Sequence, residues 1–356
     1  VKTKLSLIKE ILRGIGAFIV SMLIFLVLLE VTLQIYTRVS IYYDVEMARY
    51  ANEIKVSADN PKVGHYHQPN AEAYLMGTEF KTSSHGWRDQ EYDYERNDAY
   101  RVVVLGDSLT VGWGVEQWET YEHLLEERFN EVRPVEMINT GNGNYNTEQQ
   151  ANVYFDKGAS YSPDKVVMFY FINDAEVTPK QSEYQWLAYS RAVTFFWSRL
   201  RGLFTRSDQG QTFEGFYSAL YADDQPGWVA SQAAFIELRD VLNEKGVEFQ
   251  VVMIPELHNV QDYPFNDVYD KVYGFLQSEG IDTLDLRTDF ATYTDDPVNL
   301  WVALDDAHPS PLAHQMIADA SYDFVAKGML NTEVDDELGI DASLEAEAGS
   351  STKQGE

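Results

Sequence analysis

The chain has 356 residues, 45% of them hydrophobic, which allows one sizeable domain with appendages. Its formal net charge is −30, and an acidic surface repels phosphate backbones, which argues against nucleic acid as a partner. It has no cysteine, so thiol nucleophiles, disulfides and thiolate metal sites are excluded.

Lys2, Lys4, Lys9 and Arg13 precede an uncharged stretch from Gly14 to Leu29. Sixteen residues at about 1.5 Å each give roughly 24 Å, a little short of a hydrocarbon core. The run from Val31 to Tyr36 completes the span if Glu30 lies near the outer interface. Residues 1–36 are therefore expected to form a transmembrane anchor, with the N-terminus cytoplasmic and the bulk exported. This predicts a single-pass protein of the inner (cytoplasmic) membrane with a periplasmic or otherwise extracytoplasmic domain. The competing reading is a cleaved signal peptide, but Glu30-Val31-Thr32-Leu33 follows the apolar stretch in place of a small-x-small site.

Residues 37–99 are polar and aromatic with scattered Pro and Gly, and read as a stalk and lead-in. His65 and His67 have no carboxylate at ligand spacing close by, so they read as exposed stalk residues and no metal is expected. From residue 100 a βα rhythm begins. Strands are predicted over 100–105, 135–138, 165–171, 249–254 and 281–286. Helices are predicted over 117–131, 147–156, 228–243, 268–277 and 310–326. This alternation implies an α/β fold in three layers, α/β/α, with a parallel sheet covered on both faces.

Two segments fall outside the rhythm. Residues 180–224 are an insertion in which Val193, Phe196, Trp197, Leu200, Leu203 and Phe204 share a helical face, with Arg191, Arg199 and Arg206 on another. A lid or membrane-surface helix is one reading, and a helix packed on the core with a solvated basic side is the other. Residues 331–356 hold eight acidic residues and one lysine, which predicts a disordered tail.

Ser108, in Gly106-Asp107-Ser108-Leu109-Thr110, stands three residues beyond a buried strand, where open α/β sheets bind ligands. Alone it reads as a turn serine capping the next helix. A serine nucleophile needs an imidazole base and a carboxylate to fix the tautomer. Asp305-Asp306-Ala307-His308 supplies both near the C-terminus, with Asp305 and His308 a short turn apart. Asp107 and Asp174 are expected to bond loop backbone. Trp113 and Tyr145 are either crevice wall or core. Glu256 and His258 follow a strand stopped by Pro255, so either they line the crevice or they are ordinary loop residues.

Together these blocks resemble the SGNH/GDSL hydrolase family over roughly residues 60–328. The carriers are Gly106-Asp107-Ser108-Leu109, Gly141 in Asn139-Thr140-Gly141, Asn173 in Phe171-Ile172-Asn173-Asp174, and Asp305 with His308. The resemblance implies an SGNH/flavodoxin-like fold over 100–330, with Ser108 as nucleophile, His308 as base and Asp305 as its orienter. It also implies an oxyanion hole from the Ser108 N–H, the Gly141 N–H and the Asn173 side-chain amide, and it implies no cofactor. Phe171 stands where the family usually has glycine, which narrows the crevice or re-aims the strand end. Gly143 competes with Gly141 for the second block. Thr110 breaks the Gly-x-Ser-x-Gly elbow and disfavours an α/β-hydrolase fold.

The leading expectation is an extracytoplasmic esterase acting on an acyl or acetyl group, with a cell-surface glycan as the substrate the resemblance suggests. A transacylase taking acyl groups from a membrane partner is the second. A non-catalytic subunit of a membrane protein complex is the third, and Glu30 is the residue to watch, because a carboxylate facing lipid is costly without a partner.

Overall fold

The structure is a computed structural model that describes residues 2–39, 42–177, 189–208 and 212–329. The expected acidic tail lies outside the described residues. Helix α1 (Lys2–Val39) runs unbroken through the apolar stretch. It is long and apolar enough to cross a membrane from Ile8 to Thr37, and its side chains from Phe18 to Leu28 stand exposed.

The lead-in is not a free stalk. Helix α2 (Tyr43–Glu53) is followed by two antiparallel hairpins, β1 (Lys55–Ser57) with β2 (His65–His67) and β3 (Glu72–Leu75) with β4 (Thr78–Lys81). Tyr50, Ile54, Leu75 and Phe80 pack on Val111 and Trp113. The buried Arg88 guanidinium donates to the carbonyls of Glu79, Val111, Gly112 and Val115. His67 is fully buried on Tyr50, at 2.5 Å from its hydroxyl, and His65 is half-buried beside the Gly143 carbonyl. The expectation that both histidines are solvent-exposed is thus corrected. These strands are three or four residues long, too short for a periodic pattern to show in sequence.

The central sheet follows. Its strands are β5 (Tyr100–Leu105), β6 (Val135–Asn139), β7 (Lys165–Tyr170), β8 (Glu248–Met253) and β9 (Asp282–Asp285). All pair in parallel in the order β6-β5-β7-β8-β9. Alternate residues face opposite ways. Val103, Leu105, Val166 and Met168 pack beneath α4 (Thr147–Asp156), α7 (Pro226–Lys245) and α8 (Asn266–Ser278). Val102, Val104, Val167 and Phe169 pack on α3 (Tyr121–Asn130), α9 (Arg287–Ala291) and α10 (Pro311–Ala326). Each fully buried valine or leucine contributes about 1.5–3 kcal/mol, so a sheet apolar on both faces demands these two covering layers.

Helix boundaries have local causes. Thr120 caps α3 by accepting the His123 N–H, and Asn146 forms a capping box with Gln149 at α4. Ser310 caps α10 ahead of Pro311, and α7 ends at Gly246 with φ +67°. Between β9 and α10 lies an antiparallel ribbon, β10 (Trp301–Ala303) with β11 (Asp306–Pro309), closed by the two-residue turn Leu304-Asp305.

The insertion holds α5 (Arg191–Asp208) and α6 (Phe213–Leu220). Glu30 caps α5: its carboxylate accepts from Ser190 Oγ at 2.8 Å, Arg191 N at 2.9 Å and Ala192 N at 3.0 Å. The carboxylate at the edge of the apolar stretch therefore finds its partner within the same chain. Arg199 lies over the Tyr42 ring at 4.5 Å, while Phe196, Trp197 and Leu200 are exposed. The side chains of Leu203, Phe204 and Arg206 lie outside the described residues.

Candidate active site

Ser108 follows β5 in a tight turn. The Asp107 carboxylate accepts the Leu109 N–H at 2.8 Å, and the Ser108 carbonyl accepts the Trp113 N–H at 3.1 Å. Thr110 is pinned by the Tyr121 hydroxyl at 2.6 Å and through its carbonyl by Asn139 Nδ2 at 2.8 Å. Ser108 is left with its hydroxyl at the carboxyl end of the sheet. That hydroxyl lies 2.8 Å from His308 Nε2, across 200 residues of sequence. His308 Nδ1–H donates to Asp306 Oδ1 at 2.5 Å, and the His308 N–H reaches the same oxygen at 3.1 Å. Trp113 Nε1–H donates to Asp306 Oδ2 at 3.0 Å.

The carboxylate on the imidazole is thus Asp306, which corrects the expectation for Asp305. Along β11, residues two apart share a face, so Asp306 and His308 point together. Asp305 falls in the exposed turn of the ribbon, at the rim of the cleft. Burial pushes the Asp306 carboxyl up, but its bonds with His308 and Trp113 and the charge of His308 outweigh this and hold it below its ordinary range. Burial lifts the Asp107 carboxyl above its ordinary range, against the Leu109 N–H, the charge of His308 and the Asn173 amide.

Ser108, His308, Asn173 and Phe171 line one cleft of about 350 Å³. Gly141 does not line it. Its N–H donates to Asn139 Oδ1 at 3.0 Å, and an added Cβ would stand 2.7 Å from Val111 N, so this glycine serves close packing. The residue of that loop that lines the cleft is Asn144, held at φ +66°. Its side-chain oxygen accepts from Lys55 Nζ at 3.2 Å, and Lys55 also bonds the Gly143 carbonyl at 2.6 Å. Among the described residues neither the Ser108 N–H nor the Asn144 N–H has a hydrogen-bond partner. Asn173 Oδ1 is buried without one. The expected donor Gly141 thus has its N–H bonded to Asn139 and lies off the cleft, and the residue of that loop sharing the cleft with Ser108 is Asn144. Asn is the residue after glycine that best tolerates the left-handed region, which is the one signal the sequence held.

Asp107 and Asp174 bond loop backbone as expected, Asp174 accepting the Phe171 N–H at 3.1 Å. Tyr145 is core, its hydroxyl donating to the His65 carbonyl. Glu256 and His258 line the same cleft as Ser108. Two contributions had no signal in the sequence. Tyr43 at the start of α2 brings its ring to 6.3 Å from that of His308, and α6 supplies Phe213 and Tyr217 to the wall.

Residues 104–316 match the model of the GDSL-like lipase/acylhydrolase family. No curated protein matches the chain. Among solved structures the chain is similar to an acetylxylan esterase from Geobacillus stearothermophilus, at 15% identity over 65% of this chain and 97% of that one, with a TM-score of 0.43. An alpha/beta hydrolase enzyme from the metagenome of Lake Arreo, Spain, is 20% identical over 67% and 99%, with a TM-score of 0.41. A lipolytic protein of the G-D-S-L family from Desulfitobacterium hafniense is 12% identical over 63% and 98%, with a TM-score of 0.40. The match runs from the end of β5 through β9 and includes both the Ser108 and His308 segments, and the chain belongs to the GDSL-like lipase/acylhydrolase family of serine ester hydrolases.

Proposed function

We propose that the protein is a membrane-anchored esterase that removes an acyl group, acetyl foremost, from an extracytoplasmic glycan, using Ser108, His308 and Asp306. The observation that carries this reading is the continuous relay from Ser108 Oγ through His308 to Asp306. As Ser108 Oγ bonds the ester carbonyl carbon, its proton passes to His308 Nε2 and the carbonyl electrons move to oxygen. Asp306 stabilises the imidazolium without taking a proton. The oxyanion is met by the N–H groups of Ser108 and Asn144 and the Asn173 amide, each such donor being worth about 3 kcal/mol of barrier. Collapse expels the alkoxide, which takes the proton from His308 and leaves acyl-Ser108. A second oxygen nucleophile then repeats the sequence in reverse.

Anchoring rests on α1, with the basic flank supporting a cytoplasmic N-terminus and an exported cleft. Tyr43 favours a second reading for the last step. This wall residue of the cleft lies four residues beyond the end of α1, which supports an acyl-enzyme near the membrane surface on the anchored reading, within reach of a membrane partner that loads it. In that reading a glycan hydroxyl replaces water and the product is a transferred ester. Ser108→Ala decides the chemistry: turnover of a p-nitrophenyl ester and labelling by a fluorophosphonate both disappear. Wild-type protein inert to both reagents overturns the esterase reading.

A further inference from the structure

The cleft contains a second carboxylate–imidazole pair. Glu256 is 3% exposed, just beyond β8. Its Oε1 accepts from His258 Nδ1–H, and its Oε2 accepts the His258 N–H at 3.0 Å. This fixes the imidazole so that Nε2 is turned away from Glu256, and among the described residues Nε2 has no hydrogen-bond partner. The ring is half-exposed. Its centroid lies 4.6 Å from that of Trp301 and 5.2 Å from that of Phe213.

A buried carboxylate that only needed neutralising gains nothing from a half-exposed imidazole inside the catalytic cleft. Among the described residues no hydroxyl stands on Nε2, so the pair activates no second nucleophile there. Among the described residues no three potential metal ligands come together. What remains is recognition: one polar atom, an acceptor on the neutral ring and a donor on the imidazolium, set among aromatic rings. Sugars present the matching surface, hydroxyls at the edge and C–H groups on the face. Charge selects among sugars. The cleft already holds Asp305, Asp306 and Glu256, and the chain carries −30, so a uronate or phosphorylated sugar is repelled.

We propose that Glu256 and His258, with Trp301 and Phe213, form a subsite for an uncharged sugar ring bearing the ester presented to Ser108. The inference rests on the esterase reading and names the alcohol half of its substrate. Glu256 holds the imidazole, His258 Nε2 bonds a sugar hydroxyl, and Trp301 and Phe213 cover the apolar face of the ring.

The test uses the full chain in detergent. Mono-O-acetylated methyl glucoside, galactoside and xyloside are compared with p-nitrophenyl acetate and with an acetylated methyl glucuronide. His258→Ala is expected to raise KM for the best neutral glycoside about tenfold, the scale of one lost hydrogen bond, with kcat within about twofold. Turnover of p-nitrophenyl acetate stays unchanged, His258→Gln recovers part of the loss, and the wild type disfavours the glucuronide. An equal loss on p-nitrophenyl acetate assigns the pair a structural role and overturns the proposal, as does an unchanged KM on every glycoside or a preference for the glucuronide. Calorimetric binding of the same glycosides to Ser108→Ala separates the two readings. His258-dependent binding beside a wild type that cleaves no ester sinks the esterase reading and keeps the subsite. Absence of binding sinks the subsite alone.

Discussion

Asp306-Ala307-His308 and Glu256-Leu257-His258 are built alike. In each, an acid two residues ahead takes both the histidine N–H and its Nδ1–H. The two pairs stand in one cleft with different surroundings. Asp306 is held further by Trp113, and His308 Nε2 meets Ser108; its side chain is 14% exposed. His258 is 48% exposed and meets aromatic rings. The acid-x-His unit therefore only aims an imidazole. What lies beyond Nε2 decides whether that imidazole moves a proton or holds a ligand.

The most direct way to break this comparison is to remove the first imidazole and ask whether the second substitutes. His308→Ala is expected to lower kcat on p-nitrophenyl acetate by roughly 10⁴-fold, with no rescue from His258. Residual turnover that vanishes only on adding His258→Ala shows the pairs to be interchangeable. A smaller effect sharpens the assignment of the acid. Asp306→Asn permits the wrong tautomer and should cost about 10²- to 10⁴-fold in kcat, while Asp305→Asn stays within about twofold; steady-state kinetics on the two variants decide it. A large loss in the Asp305 variant returns the orienting role to Asp305.

The smallest effect is on stability and pH. The hydrogen bond to Glu256, opposed by burial and aided by the charge of Glu256, raises the pKa of His258 above its ordinary value. A raised folded pKa gives stability that is fully present below the unfolded value of about 6.5 and is lost as pH rises through the folded one. Thermal unfolding of His258→Ala and wild type should therefore differ more at about pH 5 than at about pH 9. The opposite order contradicts the ion pair.

The sheet was legible because its strands are continuous β-branched runs. Val102 to Leu105 and Val166 to Tyr170 are buried on both faces, and such runs need no partner to be recognised. Ser108 and His308 were legible for the same reason, since each sits at a fixed offset from a readable element. The choice of Asp305 failed because spacing alone does not say whether a segment turns or extends. A turn would bring i and i+3 together, whereas β11 is extended and pairs i with i+2. Gly141 failed differently: a glycine marks either a left-handed backbone or a close approach, and here it marks the approach to Val111 while Asn144 takes the left-handed position. The contribution of Tyr43 was invisible, and Trp113 was legible only as crevice wall or core, not as a partner of Asp306. They come from short elements whose place depends on contacts with residues tens to hundreds of positions away.

Glu30 and Tyr43 bracket the last turns of α1, one capping α5 and the other reaching the cleft. The four residue steps from Val39 to Tyr43 can extend only about 14 Å. On the anchored reading, this short and doubly fixed tether denies the nucleophile the sweep that a long linker would give. The esterase then samples a thin layer over the bilayer, and its turnover follows the number of ester groups per unit area of membrane. Chains that grow away from that layer pass out of reach, so modification is confined to the interval when a polymer is still near its site of emergence.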